Sequence, residues 1–192
     1  MQPSPTYTIT TGPTTEPLTL AAFKDRLRVL SCDFDGELSD LLTAARKQVE
    51  YDTRRALITQ SVTMYLWDFP GTEYIEIRLA PVSAISSVKY YDQDGTLQTW
   101  SSSNYRTELG MTPPRIYLVS DQDWPVTDDD DRNRVQIAMT AGYGAATAVP
   151  QNAKLAMVEY AKATWYDCEK SMARYNQIIS SLKWGEHYKV WS

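Results

Sequence analysis

Histidine and cysteine are scarce in this sequence, with one His and two Cys among 192 residues. His187 stands near the C-terminus, and a single histidine cannot build a multi-histidine metal site or more than one member of a catalytic triad. Cys32 and Cys168 form no CxxC pair, so we expect neither a redox motif nor a disulfide framework, and a reducing cytoplasm is the default compartment. Walker, GxGxxG and HExxH motifs are also missing. We therefore predict a protein that is not an enzyme, with no cofactor and no metal site.

Long apolar runs and a surplus of basic residues are absent as well. No apolar stretch is long enough for a membrane-spanning helix, which needs about 20 residues, and the N-terminus does not resemble a signal peptide. The formal net charge is −5, and no basic cluster suggests a nucleic-acid-binding face. We expect a protein that uses neither a membrane nor sequence-specific DNA binding.

The aromatic residues are unusual in kind, with 13 Tyr and 6 Trp against only 3 Phe. Tyr and Trp combine a large apolar body with a polar tip, and both are enriched at protein interfaces. We interpret the excess as a sign of subunit or partner contacts. A Tyr-rich β-sheet would give the same count, and this alternative remains open.

The clearest helix is predicted at Glu37–Ile58, where apolar residues recur at steps of three and four. Glu37 and Asp40 in its first turn suit the helix dipole, as do Arg54 and Arg55 near its end. The apolar stripe consists of Leu38, Leu41, Leu42, Ala45, Val49 and Ala56.

Shorter helical patterns lie on either side of this helix. Thr19 is the predicted N-cap of a helix whose apolar side comprises Leu20, Phe23, Leu27 and Leu30. After Pro150, residues 151–168 predict a helix covered on two sides, and the pattern continues to Leu182.

Between the helices the apolar period changes to two, which predicts strands. The Asp92–Gly95 segment predicts a hairpin turn rather than a metal site. Asp128–Asp131 predicts a solvated loop, with a cation site as the less favoured alternative. The predicted strands fall within residues 61–69, 74–79, 85–100, 105–109, 115–119 and 134–144.

These patterns define an α+β fold, a helical bundle with an inserted antiparallel β-rich region. We expect an N-terminal arm over 1–17, which could form a strand, and a C-terminal tail over 185–192. A single domain then covers 18–184. Its helical parts are 18–58 and 150–184, and its β-rich insertion is 60–144.

The order of four segments resembles the head–tail connector (adaptor, or head-completion) proteins of tailed bacteriophages and gene transfer agents. The likeness covers about residues 18–168. The segments are LTLAAFKDRLRV, ARKQVEYDTRRAL, IEIRLAPVSAISSVKYYDQDGTLQTW and RVQIAMTAGYGAATAVPQNAKLAMVEYAKATWYD.

This resemblance implies a structural protein of the virion neck, assembled in the host cytoplasm. Such proteins form a homo-oligomeric ring, usually of twelve subunits, beneath the portal protein. The ring extends the DNA channel, through which DNA passes without sequence-specific binding. It also offers a docking surface to a tail stopper or tail-terminator protein. The family has no catalytic residues, so none is expected here.

Aromatic residues are the candidates for the portal or subunit interface, and all six lie in the C-terminal third of the chain. The alternatives are another tail-completion or stopper protein, a general β-rich interaction module, and a hydrolase that uses carboxylates with a divalent ion. A stopper would be mainly β-barrel, so the terminal helices favour the adaptor. The candidates are Trp165, Tyr166, Tyr175, Trp184, Tyr188 and Trp191.

Overall fold

The computed structural model describes residues 4–127 and 133–183, which form four α-helices and eight β-strands. The prediction of a mixed α+β protein is confirmed. The chain divides into two compact units. The β-rich unit comprises Met1–Gly12 and Thr59–Gly142, and the helical unit comprises Pro13–Ile58 and Tyr143–Ser192.

The helical unit contains α1 (Leu20–Leu27), α2 (Asp35–Thr53), α3 (Gln151–Tyr166) and α4 (Glu169–Leu182). Each helix presents an apolar face that it cannot bury alone, so all four contribute to one hydrophobic core. Its fully buried large side chains include Phe23, Leu27, Leu38, Val49, Leu57 and Met157.

Helix α1 begins as the sequence predicted, since the Thr19 side chain accepts a hydrogen bond from the Ala22 N–H. The helix ends at Leu27, because Arg28 takes a left-handed conformation with φ 59°. The placement of Leu30 on the apolar side of this helix was therefore wrong. Leu30 follows the helix and is 87% exposed.

Helix α2 is shorter than the predicted Glu37–Ile58 and starts two residues earlier. It ends at Thr53 because Arg54 is left-handed, with φ 52°. An arginine in this conformation does not mark the end of a helix in the sequence as a glycine would, which explains why the predicted helix was too long. Ala56 belongs to the segment after the helix, although it is fully buried.

The C-terminal helical pattern is interrupted between α3 and α4. Asp167 is left-handed, with φ 49°, so the helix predicted over 151–168 ends at Tyr166. The prediction that this helix is covered on more than one side is confirmed, because adjacent residues from Ala156 to Glu159 are all buried. Leu155 is an exception and is 42% exposed.

The β-rich unit contains two antiparallel sheets. The larger sheet has five strands in the order β1-β2-β8-β4-β5, and the smaller has three in the order β3-β7-β6. The strands are β1 (Thr6–Thr11), β2 (Gln60–Leu66), β3 (Tyr74–Glu76), β4 (Val82–Tyr91), β5 (Leu97–Trp100), β6 (Tyr105–Glu108), β7 (Arg115–Leu118) and β8 (Val135–Ala141).

Strands β2 and β8 show the predicted period of two. Val62 and Met64 are buried in β2, and Val135, Ile137 and Met139 are buried in β8. Strand β3 ends at Glu76 and is shorter than the predicted 74–79. The N-terminal arm forms a strand, β1, which pairs with β2.

The predicted hairpin turn joins β4 to β5. One carboxylate oxygen of Asp92 accepts hydrogen bonds from the backbone N–H groups of Asp94 and Thr96, and the other accepts from the Gln98 amide. Gly95 has φ 72°, which a side chain would disfavour. Asp92 therefore closes a turn, as predicted.

Candidate interface surface

The structure describes three of the six predicted interface residues, Trp165, Tyr166 and Tyr175. The other three, Trp184, Tyr188 and Trp191, lie outside the described residues.

Tyr175 lies in the core of the helical unit and is 3% exposed. Its hydroxyl donates a hydrogen bond to the Asp52 carboxylate, and its ring contacts that of Tyr160, with the centroids 5.4 Å apart. Burial, together with the Asp52 charge, raises the pKa of the Tyr175 hydroxyl above its ordinary value. The described contacts of Tyr175 thus join α4 to α2 and α3 within the unit.

Trp165 and Tyr166 lie at the end of α3, beside the loop between α1 and α2. The Tyr166 hydroxyl donates to the Leu27 carbonyl, and the Trp165 ring meets Phe34 edge-on, with the centroids 5.7 Å apart. Leu30 belongs to the same loop. We call this surface the loop patch and define it by Leu30, Phe34, Trp165 and Tyr166.

The loop patch is well exposed for an apolar surface. Leu30 is 87% exposed, Tyr166 is 53% exposed and Phe34 is 42% exposed. Neighbouring apolar residues that remain in water mark a surface for contact with another protein more often than singly scattered ones do. The patch can therefore bind by burying apolar and aromatic area.

Polar contacts hold the loop that carries Leu30 and Phe34. Lys24 on α1 forms an ion pair with Asp35 at the start of α2, so the two ends of the loop are tied together. The hydrogen bond that the Lys24 ammonium donates to the Asp35 carboxylate is the main reason that the pKa of Lys24 is raised. Within the loop, the Ser31 hydroxyl donates to the Asp33 carboxylate. These contacts give the exposed apolar side chains a defined position.

Trp165 and Tyr166 were proposed as interface residues from the sequence, whereas Leu30 and Phe34 were not. Leu30 was assigned to the core side of α1 because the helix was expected to continue. One feature of the sequence could have indicated that Phe34 lies on the surface, because it is an aromatic residue within the polar segment SCDFDG.

Beside the loop patch, α1 borders an open groove of about 380 Å³. Its lining mixes charges with apolar groups and includes Lys24, Asp25 and Leu30. In the described ranges, no group of three or more His, Cys, Asp or Glu residues could hold a metal ion. No helix within those ranges is long and apolar enough to cross a membrane.

Buried charges in the helical unit serve its own packing. Arg46 is 5% exposed and lies between two carboxylates, with nitrogen–oxygen distances of 2.8 Å to both Glu16 and Glu50. The second oxygen of Glu50 accepts from the Leu57 N–H, which fixes the chain after α2. Burial raises the pKa of Glu50, while Leu57 and Arg46 act in the opposite direction.

Aromatic rings collect around Phe69 in the β-rich unit. The Phe69 ring stacks on Trp124 with a centroid distance of 5.0 Å and also contacts Trp100 and Tyr90. Trp100 in turn stacks on Tyr105. The Trp124 indole N–H donates to the Thr72 carbonyl, so this ring is anchored as well as packed. These five rings, which we call the aromatic cluster, are mutually engaged and serve packing.

No protein-family model and no curated protein matches this chain. Solved structures share this fold, and three of them are chains of gene transfer agent (GTA) particles. One belongs to a structure described as "Neck of empty GTA particle computed with C6 symmetry". It has a TM-score of 0.73 and 24% identity, and the match covers 93% of this chain and 95% of that chain.

Two further structures give the same result. A chain of "Virion of native gene transfer agent (GTA) particle" has a TM-score of 0.72 and 24% identity, with coverage of 92% and 94%. A chain of "Neck of native GTA particle computed with C12 symmetry" has a TM-score of 0.71 and 23% identity, with coverage of 93% and 94%. At this level of identity, the likeness establishes a shared fold over nearly the whole of both chains.

Proposed function

We propose that this chain is a structural virion protein of the neck of a phage or gene transfer agent particle. In that role it is a head–tail connector, or adaptor, located beneath the portal protein. It extends the DNA channel and gives the tail or its stopper a docking surface. The observation that carries the proposal is a fold shared over 93% of this chain with a chain of a GTA neck structure. Fold alone does not determine function, so the proposal rests on this analogy together with the exposed loop patch.

The proposed assembly is a ring of identical subunits, twelve in number. Support comes from the symmetry of the similar structures, which were computed with C6 and C12 symmetry. A closed ring of this kind requires heterologous contacts, in which one face of a subunit meets a different face of the next. We assign the four helices to a bundle that, with the β-rich insertion, makes up one connector domain.

The loop patch is the proposed contact with the next subunit or with the portal. Burying Leu30, Phe34 and Tyr166 would remove apolar surface from water, at about 25 cal/mol per Å² of area covered. Trp165 would contribute through its contact with Phe34. Aromatic side chains of this kind are frequent among the residues that dominate binding energy.

The charge of the chain suits a channel through which DNA moves. Its net charge of −5 gives no general attraction to phosphates, so DNA would pass without being held. Sequence-specific contacts to bases have no role in this proposal.

The test is the mass of the purified protein in solution, alone and with the portal protein of the same particle, by native mass spectrometry. We expect a closed ring on the portal. Phe34→Ser should weaken ring formation or portal binding at least tenfold, because it places a polar group in the buried contact. Tyr51→Ser is the matched control, since Tyr51 is an 80% exposed aromatic residue on α2. A protein that stays monomeric and ignores the portal would contradict the proposal.

A further inference from the structure

The outer strands of the five-stranded sheet are open along their backbones. Within the described residues, β1 pairs with β2 alone and β5 pairs with β4 alone. Each therefore presents a row of backbone N–H and C=O groups on its free side. Such a row is satisfied either by water or by another extended strand.

Strand β1 is exposed but held in place. Five of its six residues are exposed, and Ile9 is 56% exposed. The Tyr7 hydroxyl accepts a hydrogen bond of 2.7 Å from the Arg78 backbone N–H, and the Thr10 hydroxyl donates to the Ser61 carbonyl. The strand is thus ordered before any partner arrives, which lowers the entropic cost of pairing.

The two sheets protect their edges differently. Strand β6, an edge of the smaller sheet, carries the exposed charges Arg106 and Glu108, and β3 carries Glu76. Charged side chains are a common defence against edge-to-edge pairing. Strands β1 and β5, with the sequences TYTITT and LQTW, contain no charged residue. The edges of the larger sheet lack the defence that the smaller sheet has.

The free edges also match in length and direction. The register of β1 shifts between Ile9 and Thr11, which leaves the regular run Thr6–Ile9 to face the four residues of β5. All neighbouring strands in the five-stranded sheet are antiparallel, and the number of strands is odd. Strands β1 and β5 therefore run in the same direction. Copies related by a ring rotation, with their sheets side by side, would place β1 parallel to the β5 of a neighbour.

We propose that β1 of one copy pairs in parallel with β5 of the next copy, so that the five-stranded sheets of adjacent subunits join. This inference rests on the proposed ring, because only a head-to-tail contact brings the two different edges together. Pairing of β1 with β1 around a twofold axis would instead end at a dimer. The occupant of the β1 edge is thus a specific strand of a second copy of this chain.

The test is disulfide cross-linking of the assembled ring, in a background in which Cys32 and Cys168 are replaced by serine. Thr8→Cys is combined in turn with Leu97→Cys, Gln98→Cys or Thr99→Cys, which tests three successive registers, including the one that pairs all of Thr6–Ile9 with Leu97–Trp100. Within one chain these positions lie across four strand spacings, about 19 Å, and a disulfide cannot span that distance. A cross-link between β1 and β5 therefore reports two different subunits.

We expect at least one pair to give a ladder of covalent multimers on a non-reducing denaturing gel, with more than half of the chains linked. Thr8→Cys with Glu108→Cys on the β6 edge is the matched control and should remain uncross-linked. A ring of the expected mass without any β1–β5 ladder overturns the pairing alone. Covalent dimers from Thr8→Cys by itself overturn it in favour of a twofold contact. A protein that forms no ring, with or without the portal, overturns both proposals.

Discussion

The two units exclude water from their interiors by different means. The β-rich unit buries aliphatic side chains of its strands. Its loops and strand ends add the aromatic cluster around Phe69. The core of the helical unit consists mostly of aliphatic and small residues, including Ala153, Ala156 and Ala161 of α3, with Phe23 and Tyr175 as its buried aromatic residues. Small side chains allow helices to approach closely, whereas aromatic rings fill the wider space under irregular segments.

Charge is also used differently in the two units. Buried Arg46 in the helical unit makes short contacts with Glu16 and Glu50. In the β-rich unit, Arg134 is buried to a similar degree, but it lies 3.8 Å from the Asp68 carboxylate and over the Trp67 ring. We expect the contacts of Arg46 to make the stability of the helical unit depend on pH.

The largest expected effect is at Phe69, where a substitution tests the role of the aromatic cluster. Phe69→Ala removes a 6% exposed ring that contacts three others, and it should lower the free energy of unfolding by about 3 to 5 kcal/mol. Denaturant unfolding followed by tryptophan fluorescence would measure it. Phe34→Ala is the matched control, with an expected loss below about 1 kcal/mol because Phe34 is 42% exposed. Equal losses of unfolding free energy at both positions would show that the aromatic cluster does not contribute specially to the stability of the β-rich unit.

The next effect concerns Arg46 and tests the dependence on pH. Arg46→Met leaves Glu16 and Glu50 without their shared cation and should cost about 3 kcal/mol at neutral pH. The folded pKa of Glu50 already lies above its ordinary value of 4.5 and would rise further. A raised folded pKa favours the folded state below the unfolded value and loses that benefit as the pH rises through the folded value. The loss should therefore be smallest in acid and grow towards neutrality.

Urea unfolding of this variant at several pH values between about 4 and 8 would measure that dependence. Arg174→Met is the matched control, since the Arg174 side chain is 67% exposed and 3.9 Å from its partner Glu159. A pH-independent loss in Arg46→Met would show that packing of the side chain, rather than its charge, matters at this site.

The smallest effect is expected at the hairpin turn of the β-rich unit. The hydrogen bond from the Gln98 amide is the main cause that lowers the pKa of Asp92, and the hydrogen bond from the Thr96 N–H acts in the same direction. A lowered folded pKa adds stability above the unfolded value, and that contribution disappears as the pH falls. Asp92→Ala should therefore lower the melting temperature slightly at neutral pH and not at low pH. Asp94→Ala in the same turn should have no effect, because the described bond of Asp94 comes from its backbone N–H. A drop that persists in acid would exclude the carboxylate as its cause.

Local patterns in the sequence predicted local structure well. Val62 and Met64, or Val135 and Ile137, alternate as strand residues must, and Thr19 caps its helix. The errors at the C-terminal ends of helices fell where the backbone turns without a glycine, at Arg28, Arg54 and Asp167. Arginine, unlike glycine, gives no warning that a helix ends at that position.

Long-range pairing was beyond what one sequence shows. Nothing in the residues indicated that β8 lies between β2 and β4, because strand order depends on the packing of segments far apart in the chain. For the same reason, Trp165 and Tyr166 could be proposed from their type and spacing, while their neighbours Leu30 and Phe34 could not. Phe34 meets Trp165 across more than a hundred residues of sequence.

The order of segments along the chain has a consequence for biosynthesis. Strand β1 is translated first, its partner β2 is translated after α1 and α2, and β8 completes the centre of the sheet only at Ala141. At translation rates of about 5 to 20 residues per second, β1 remains without its finished sheet for on the order of 10 s. Helices α1 and α2 likewise precede α3 and α4 by about a hundred residues. Neither unit can therefore complete its folding early in translation, and the nascent chain exposes the apolar faces of α1 and α2 to water before α3 and α4 are made.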